Sequence, residues 1–407
     1  MLIKFFPRVH DRYSSLALIG PRLDAFTSWL QSEGYPPLSI KLRVRATARL
    51  EALLAAQAVR RLEDLSAKEL LEFAPEDSQE DIYLAATVRS LTRWLDAEGV
   101  LAKTVETPAR QLVAEYLSHL DRVRGFAEST CAHHGATAAE FLGVVGFDGD
   151  PVVLQRLGSH EIETFIRAVG GRVGRGNLQH KVACLRSFLR FLAELGQIVP
   201  GLDALIDTPR TYRGERLPRA LPWSTVQAFL KAIDLSSPKG RRDYAMFLLI
   251  ATYGLRTSEV AALRLDDIEW RQDRIRIPRP KTRSPLVLPL TTEIGAALID
   301  YLTHGRPELP YRQVFLRVRA PEGPLGRTGV TSAFQAWTRR GGLPIPYHGP
   351  HCLRHSLAVH LLRQGTSLKA IGDLLGHRST ESTCVYLRLH VGDLREAALA
   401  LPKEARR

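Results

Sequence analysis

Apolar positions in the first half of the chain recur at helical spacing, in two blocks that resemble each other. Residues 62–73 match residues 154–165 at Leu, Leu, Glu and Phe, and residues 88–99 match residues 185–196 at Arg, Ser, Arg, Leu and Gly. Residues 88–99 and 185–196 each end in a glycine, a residue that commonly ends a helix. The pattern predicts two small helical bundles, at 1–105 and 106–200, although any two amphipathic helices can share such a pattern.

Helical periodicity stops between residues 201 and 221. Prolines interrupt this stretch, and arginines recur at every third position. Both features predict an extended basic linker, which would either follow a phosphate backbone or form a solvated hinge. The arginines of this linker, the candidate DNA contacts, are Arg210, Arg213, Arg216 and Arg219.

Residues 222–407 show a different pattern and form a predicted third domain. Ser224 is a candidate N-cap, and residues 242–255 are apolar enough for a buried helix. Alternating residues at 274–277 and 286–290 predict a β-hairpin with a polar turn between them. Helical spacing then returns at 292–303, 329–340, 351–364, 367–375 and 380–388. The predicted fold class is therefore mainly α and multi-domain: helical N-terminal bundles, and a mostly helical C-terminal domain with a small antiparallel β-hairpin.

Composition narrows the class of partner. The 407 residues carry 56 Lys and Arg against 43 Asp and Glu, a net charge of +13, and 46 of the 56 basic residues are arginine. Because the guanidinium group pairs bidentately with phosphate, the excess favours a nucleic acid, although a GC-rich genome also enriches arginine. Four widely spaced cysteines argue against a disulfide scaffold, and apolar runs are too short for a membrane span. We expect a soluble, cytoplasmic protein without a membrane partner.

Candidate chemistry begins after the buried helix, at Tyr253-Gly-Leu-Arg-Thr-Ser-Glu259. Burying Arg256 is costly unless an anion meets it, and Glu259 lies three residues on, where it can hold the guanidinium. Lys281 lies at the tip of the predicted hairpin and is the lone lysine between residues 240 and 368. Since the pKa of a lysine can be tuned downward, Lys281 is a candidate proton donor.

A second group of candidates opens a helix, at Pro350-His-Cys-Leu-Arg-His355. At 100° per residue, His351, Arg354 and His355 share one face. Two histidines at i and i+4 could suggest zinc, but Arg354 on the same face would repel a cation, so we expect no metal. His377 follows in Leu374-Leu-Gly-His, nine residues before Tyr386.

These side chains form a set that can transfer a phosphoryl group without a metal or cofactor. Two arginines can bind the non-bridging oxygens, and a tyrosine hydroxyl can attack phosphorus if a histidine takes its proton. A lysine can protonate the leaving oxygen. The covalent phosphotyrosine would keep the bond energy for religation. In chain order the set is Arg256, Lys281, His351, Arg354, His377 and Tyr386.

The order and spacing of this set resemble the catalytic domain of the tyrosine recombinase (phage integrase) family over about residues 222–400. The resemblance implies that Arg256 and Arg354 clamp the phosphate. It implies that Lys281 is the general acid, His351 the general base and His377 a further phosphate ligand. Tyr386 would be the nucleophile of a 3′-phosphotyrosine intermediate. Glu259 and His355 match supporting positions of the family pattern, His355 as a structural residue, and Arg283 beside the hairpin lysine is a further candidate DNA contact.

The resemblance also implies partners. We expect double-stranded DNA with specific recombination sites, a homotetramer on DNA that is a monomer or dimer when free, accessory recombinases or DNA-bending proteins, and a bacterial, nucleoid-associated location. Residues 106–200 are weakly similar to the SAM-like core-binding domain. The bundle at 1–105 would bind arm-type DNA, duplicate the clamp or support oligomerisation. The amphipathic tail from Val391 would link protomers or pack within its own chain.

Three alternatives to a site-specific recombinase, integrase or transposase remain at this stage. One is a type IB topoisomerase-like activity, which shares the chemistry but relaxes DNA without strand exchange. The second is a non-catalytic DNA-binding protein. The third is a metal-dependent nuclease or transposase that uses Asp266, Asp267 and Glu269.

Overall fold

A computed structural model describes residues 1–75, 82–103, 106–208, 217–279, 285–377, 379 and 381–389. Contacts divide these residues into two compact units. The described residues of the first unit fall within 1–58, 74–94 and 217–389, and those of the second within 59–73 and 95–208. Residues 1–105 are thus shared between the units. This division into two units does not test the domain boundaries given above, which stay a prediction.

The described residues among the first hundred are mostly helical. Apolar side chains of two helices meet in the first unit, where the Phe26 and Trp94 rings lie 5.4 Å apart between centroids. The side chain of Glu51 accepts hydrogen bonds from the backbone amides of Leu18 and Ile19, at 2.7 and 3.0 Å, and so fixes the loop before the third helix. The helices are α1 (Leu2–Phe5), α2 (His10–Ser14), α3 (Leu23–Ser32), α4 (Pro37–Ala56), α5 (Ala67–Glu72) and α6 (Ile82–Ala97).

The second unit encloses an aromatic core. Tyr116 packs on Phe188 with ring centroids 5.0 Å apart, and its hydroxyl lies 2.8 Å from His134 Nδ1. Because a buried hydroxyl without a partner is costly, this bond accounts for a polar pair in an apolar core. Most of the unit consists of α7 (Pro108–Arg122), α8 (Glu128–Val145), α9 (Pro151–Gln155), α10 (Ser159–Gly170) and α11 (Arg175–Glu194).

The two blocks found in the sequence end their helices in the same way. Gly99 and Gly196 both have positive φ, 67° and 69°. The amide that follows each glycine donates to a carbonyl five residues earlier, at 2.9 Å in both cases. This is the hydrogen bond of a Schellman motif, which requires a left-handed residue that glycine adopts without strain. The predicted helix-ending role of both glycines is confirmed.

The C-terminal region of the first unit is mostly helical, as predicted. Its longest helix, α13 (Pro238–Tyr253), is buried on nearly all sides and packs against α15 (Thr292–His304) and α17 (His351–Arg363). Helix α12 begins at Trp223 after Pro222, so the prediction of Ser224 as its N-cap is wrong. The helices are α12 (Trp223–Lys231), α13 (Pro238–Tyr253), α14 (Thr257–Ala262), α15 (Thr292–His304), α16 (Arg327–Arg340), α17 (His351–Arg363), α18 (Leu368–Leu375) and α19 (Glu381–Cys384), followed by a 3₁₀ turn at Val385–Leu389.

The predicted hairpin belongs to a three-stranded antiparallel sheet. Strand β2 (Arg274–Ile277) pairs with β3 (Leu286–Pro289), with Ile275 opposite Leu288, and β1 (Ile268–Glu269) adds a short edge. Ile275 and Ile277 are buried while Arg274 and Arg276 are exposed, which is the alternation that a half-buried strand requires. The mainly α, multi-domain fold class with a small sheet is confirmed. Among the residues that the structure describes, no helix is both long and apolar enough to cross a bilayer.

Candidate active site

The site begins where α13 ends. Gly254 ends this helix in the left-handed conformation, with φ 65°. A Cβ at this position would lie 2.4 Å from Leu375 Cδ2, so a larger residue would displace the Leu375 side chain and strain the backbone. The turn places Arg256 at the N-cap of α14, where its backbone amide and its Nη1 both donate to the Glu259 carboxylate, each at 2.8 Å. The predicted contact between Arg256 and Glu259 is present, and Glu259 is only 4% exposed.

The second arginine of the predicted clamp lies in the interior. Arg354, on the first turn of α17, is 2% exposed. Its Nη1 donates to the carbonyl of Gly254, and its Nη2 donates to the carbonyl of Leu375 at 2.6 Å. Arg354 therefore ties together the C-terminal ends of α13 and α18. Arg256 reaches the same end of α18, with Nη2 3.5 Å from the Gly376 carbonyl.

Tyr386 lies next to the histidines of α17. The residue is 1% exposed, and its hydroxyl is 3.0 Å from Nδ1 of His355. The ring of His351 contacts His355 edge-on, with centroids 4.5 Å apart. The predicted common face of His351 and His355 is confirmed, but the histidine that contacts the tyrosine hydroxyl is His355, which the sequence pattern assigned a structural role.

His377 completes the group. Its ring is nearly parallel to that of Tyr386, at 17° and 6.3 Å between centroids. Its Nδ1 lies 2.8 Å from the hydroxyl of Thr383, a residue with no exposed surface. A hydrogen bond to one ring nitrogen fixes the orientation of the ring and directs the other nitrogen. Tyr386 follows His377 by nine positions and lies on the 3₁₀ turn at Val385–Leu389, which packs against α17.

Burial shifts the pKa values of these groups in the direction that favours their neutral forms. Burial raises the pKa of Tyr386, while the positive charges of Arg354 and Arg256 act in the opposite direction. Burial, followed by the neighbouring His351 and Arg354, lowers the pKa of His355 to about 4. Burial, followed by Arg354 and Arg256, lowers the pKa of His377 to about 4. Both imidazoles are therefore neutral at pH 7 and able to accept a proton or a hydrogen bond.

This electrostatic arrangement predicts a loss of stability in mild acid. A histidine with an ordinary pKa of 6.5 when unfolded and about 4 when folded binds more protons in the unfolded state between these values. Its contribution is complete above pH 6.5 and is lost as pH falls toward 4, by on the order of 2 kcal/mol for His355 between pH 7 and pH 5. We expect the urea midpoint of unfolding to fall over this range. The midpoint of His355→Asn should depend less steeply on pH, and an equal slope would contradict the assignment.

A cavity of about 310 Å³ opens beside the histidines. His351 and His355 line it together with Arg219, the exposed linker arginine that the structure describes. The pKa of His351 is also lowered, first by partial desolvation and then because the positive charges of Arg354 and Arg256 lie near. The other predicted site residues, Lys281, Arg283, Arg210, Arg213 and Arg216, and the tail from Val391 lie outside the described residues.

The acidic residues of the metal-dependent alternative are engaged elsewhere. The carboxylates of Asp266 and Glu269 pair with Arg312 and Arg276. Asp267 accepts the backbone amide of Arg264 at 2.9 Å. Across the described ranges, no three histidine, cysteine, aspartate or glutamate residues are grouped so that they could hold a metal ion. The three acids cap and brace the turn around β1.

Two residues of the site were missed in the sequence. Thr383, the hydrogen-bond partner of His377, has no sequence signal other than its position near the candidate residues in the chain. Arg279 has one: it continues the alternation of Ile275 and Ile277 and so falls on the buried side of β2. It is 8% exposed, and its Nη2 donates to the Leu374 carbonyl at 3.0 Å.

Comparison with known proteins agrees with this geometry. The model of the phage integrase family matches residues 219–392. A putative integrase/recombinase of Sinorhizobium fredii, y4rA, is 32% identical over 387 residues, which cover 93% of this chain and 94% of that protein. Tyrosine recombinase XerD of Lacticaseibacillus casei is 28% identical over 282 residues, 68% of this chain and 94% of that one.

Solved structures show the same fold. The XerH recombinase bound to palindromic difH substrate, in a post-cleavage complex, matches with a TM-score of 0.56 and 16% identity, covering 83% of this chain and 96% of that chain. The protein belongs to the phage integrase family. The prediction of a tyrosine recombinase, an enzyme that transfers DNA strands, is confirmed.

Proposed function

We propose that the protein recombines specific double-stranded DNA sites, as an integrase or transposase of a mobile element. It would cut one strand at a time through a 3′-phosphotyrosine linked to Tyr386. One observation carries the proposal: the tyrosine hydroxyl is hydrogen-bonded to the neutral imidazole of His355 and lies close to the guanidinium groups of Arg354 and Arg256. A buried phenol beside neutral imidazoles and fixed positive charge suits attack on a phosphodiester.

The proposed chemical step is a transesterification. The oxygen of Tyr386 bonds to phosphorus, the bond from phosphorus to the 5′-oxygen breaks, and Arg256 and Arg354 hold the non-bridging oxygens. The phenolic proton passes to an imidazole, and Lys281 protonates the departing 5′-oxygen. The reverse attack by a 5′-hydroxyl of the partner strand reseals the DNA and frees the tyrosine.

In this proposal, His355 and His351 have different roles toward the nucleophile. His355 holds the hydroxyl at 3.0 Å, and its depressed pKa keeps the ring neutral. His351 faces the cavity that Arg219 also lines and stays the proposed general base. His377, held by Thr383, is the proposed further ligand of the phosphate. Glu259 supports the site by orienting Arg256.

The partner is duplex DNA. Two structures with this fold support this part of the proposal, since XerH was solved on a difH substrate and lambda integrase as a dimer on a COC′ core site. We further propose that the helical regions at 1–105 and 106–200 clamp the duplex, that the linker at 201–221 follows its backbone, and that four chains assemble on two sites. The tail from Val391 would join neighbouring chains, and accessory recombinases or DNA-bending proteins would set direction.

The test uses nicked suicide substrates made from the ends of candidate elements. We expect a covalent adduct whose linked peptide contains Tyr386, Holliday junctions from paired sites, and a synaptic complex with the mass of four chains and two duplexes. Relaxation of plasmids without any site, and no junctions, would favour a topoisomerase instead. Binding without an adduct would indicate a non-catalytic protein. Cleavage that is lost with EDTA and restored by Mg²⁺ would contradict the chemistry.

A further inference from the structure

A third guanidinium group lies at the active site, and neither the motif pattern nor the proposed mechanism gives it a role. Arg279 follows β2 and is 8% exposed. Burial is the main cause that lowers its pKa, with Glu259 acting in the opposite direction. Because taking a charge out of water is unfavourable without compensation, a buried arginine must be held by anions or carbonyls. Its contacts therefore indicate what it organises.

The C-terminal end of α18 is the first of these contacts. The backbone of the helix end satisfies two of its own carbonyls, because the amides of Gly376 and His377 donate to Asp373 and Gly372. The next three carbonyls accept from three arginines in turn. Leu374 accepts from Arg279, Leu375 from Arg354 and Gly376 from Arg256. The negative end of the helix dipole favours this arrangement of cations.

Close packing keeps Arg279 in place. Gly376 has φ 63°, and a Cβ there would lie 1.9 Å from Arg279 Nη1. The helix can thus end against the guanidinium only because this residue is glycine. Arg279 is also two residues after Ile277, the last residue of β2, so its contacts hold the chain just beyond that strand.

The second contact is the carboxylate that orients Arg256. Glu259 Oε1 is 2.8 Å from Arg256 Nη1 and 3.6 Å from Arg279 Nε. One buried oxygen therefore faces two guanidinium groups. Arg279 limits where this carboxylate can lie, and the carboxylate limits where Arg256 can point. Arg256 is the more exposed of the two, with 35% of its side chain accessible against 7% for Arg279.

We propose that Arg279 is a positioning residue for strand cleavage: it holds Glu259 and the end of α18 so that Arg256 presents its remaining N–H groups to the scissile phosphate. The inference rests on the proposed function. The two arginines carry equal charge but have different roles. Arg256 contacts the phosphate, whereas Arg279 acts through Glu259 and makes no contact with the phosphate. Its loss would slow the chemical step and leave DNA affinity nearly unchanged.

The experiment compares two arginines of the same region. Arg279→Gln removes the buried group, and Arg276→Gln is the matched control, because Arg276 is exposed on β2 and pairs with Glu269 at the surface. Single-turnover cleavage of a suicide substrate is measured at saturating protein, together with the dissociation constant for the same DNA. We expect Arg279→Gln to cleave ~30- to 100-fold more slowly, with affinity within ~3-fold of the original. Arg276→Gln should change neither by more than ~2-fold.

A double-mutant cycle with Glu259→Gln separates positioning from a general structural role. If Arg279 acts through the carboxylate, Arg279→Gln should cost less than ~3-fold in the Glu259→Gln background. A full loss in that background, an unchanged cleavage rate, or a loss confined to affinity would overturn the inference. If Arg279→Gln does not fold, Arg279→Lys replaces it. One ammonium nitrogen cannot reach both partners in the same geometry, so we expect a ~10-fold slower rate, and the original rate would overturn the inference. Absence of any adduct from the unmodified protein would instead refute the proposed function.

Discussion

Tyr386→Phe is expected to bind DNA as well as the unmodified protein and to form no covalent adduct. The substitution removes one oxygen from a side chain that is 1% exposed, so the ring can keep its packing against the residues around α17. That oxygen is the atom that would bond to phosphorus. We therefore expect the cleavage rate to fall by at least ~10⁴-fold, measured with labelled suicide substrate on a denaturing gel.

The stability of this variant should change little. His355 loses its hydroxyl partner at 3.0 Å, which costs about 1 kcal/mol for a partly buried group. Tyr301→Phe is the matched control, because Tyr301 is also fully buried and its hydroxyl accepts the backbone amide of Leu316 at 3.1 Å, away from the site. The control should form adducts at the normal rate. An adduct that persists in Tyr386→Phe would assign the nucleophile to another residue.

Local signals in the sequence predicted local structure well. The periodicity of α17 placed His351 and His355 on one face, and their rings do touch. The alternation of β2 predicted its strand, and the three-residue interval from Arg256 to Glu259 predicted their hydrogen bond. In each case the geometry of one helix or strand fixes the contact, because the residues are close in the chain.

Contacts between distant parts of the chain could not be predicted in the same way. Arg354 bonds the Gly254 carbonyl 100 residues before it, and Arg279 bonds the Leu374 carbonyl 95 residues after it. No periodicity reports which helix end an arginine will meet. The contact of His355 with Tyr386 could not be predicted for the same reason, since it depends on how the 3₁₀ turn at Val385–Leu389 packs on α17. The edge strand β1 has two residues, too few for an alternating pattern.

The arginines of the site lie in different surroundings, and those of Arg354 show what burial contributes. Burial lowers the pKa of Arg354 to about 10, so the group stays charged at neutral pH although it is 2% exposed. Fixed carbonyls satisfy part of its hydrogen-bonding capacity before any phosphate arrives. Preorganised charge of this kind stabilises a transition state without reorganisation during the reaction. The Arg354 side chain thus holds two helix ends together and also places a fixed positive charge at the site.

Arg354→Lys tests this dual role and is expected to be nearly inactive. Two nitrogens of Arg354 reach two carbonyls, those of Gly254 and Leu375, on the ends of different helices. A lysine has one nitrogen, so one carbonyl loses its partner, at a cost of about 1–3 kcal/mol in unfolding free energy. The phosphate also loses a donor in planar geometry. We expect cleavage to slow by ~10³-fold or more, while affinity for DNA falls less than ~10-fold because total charge is kept.

The same substitution at Arg363 provides the control, since this arginine lies on the last turn of α17 and is exposed. Arg363→Lys keeps charge and helix while touching none of the carbonyls at the site, and we expect normal cleavage and an unchanged melting temperature. Measuring single-turnover rate, affinity and melting temperature on both variants separates geometry from charge. If Arg354→Lys cleaved at the rate of the control, positive charge alone would suffice at this position, and the fixed arrangement of guanidinium groups at the end of α18 would have no part in catalysis.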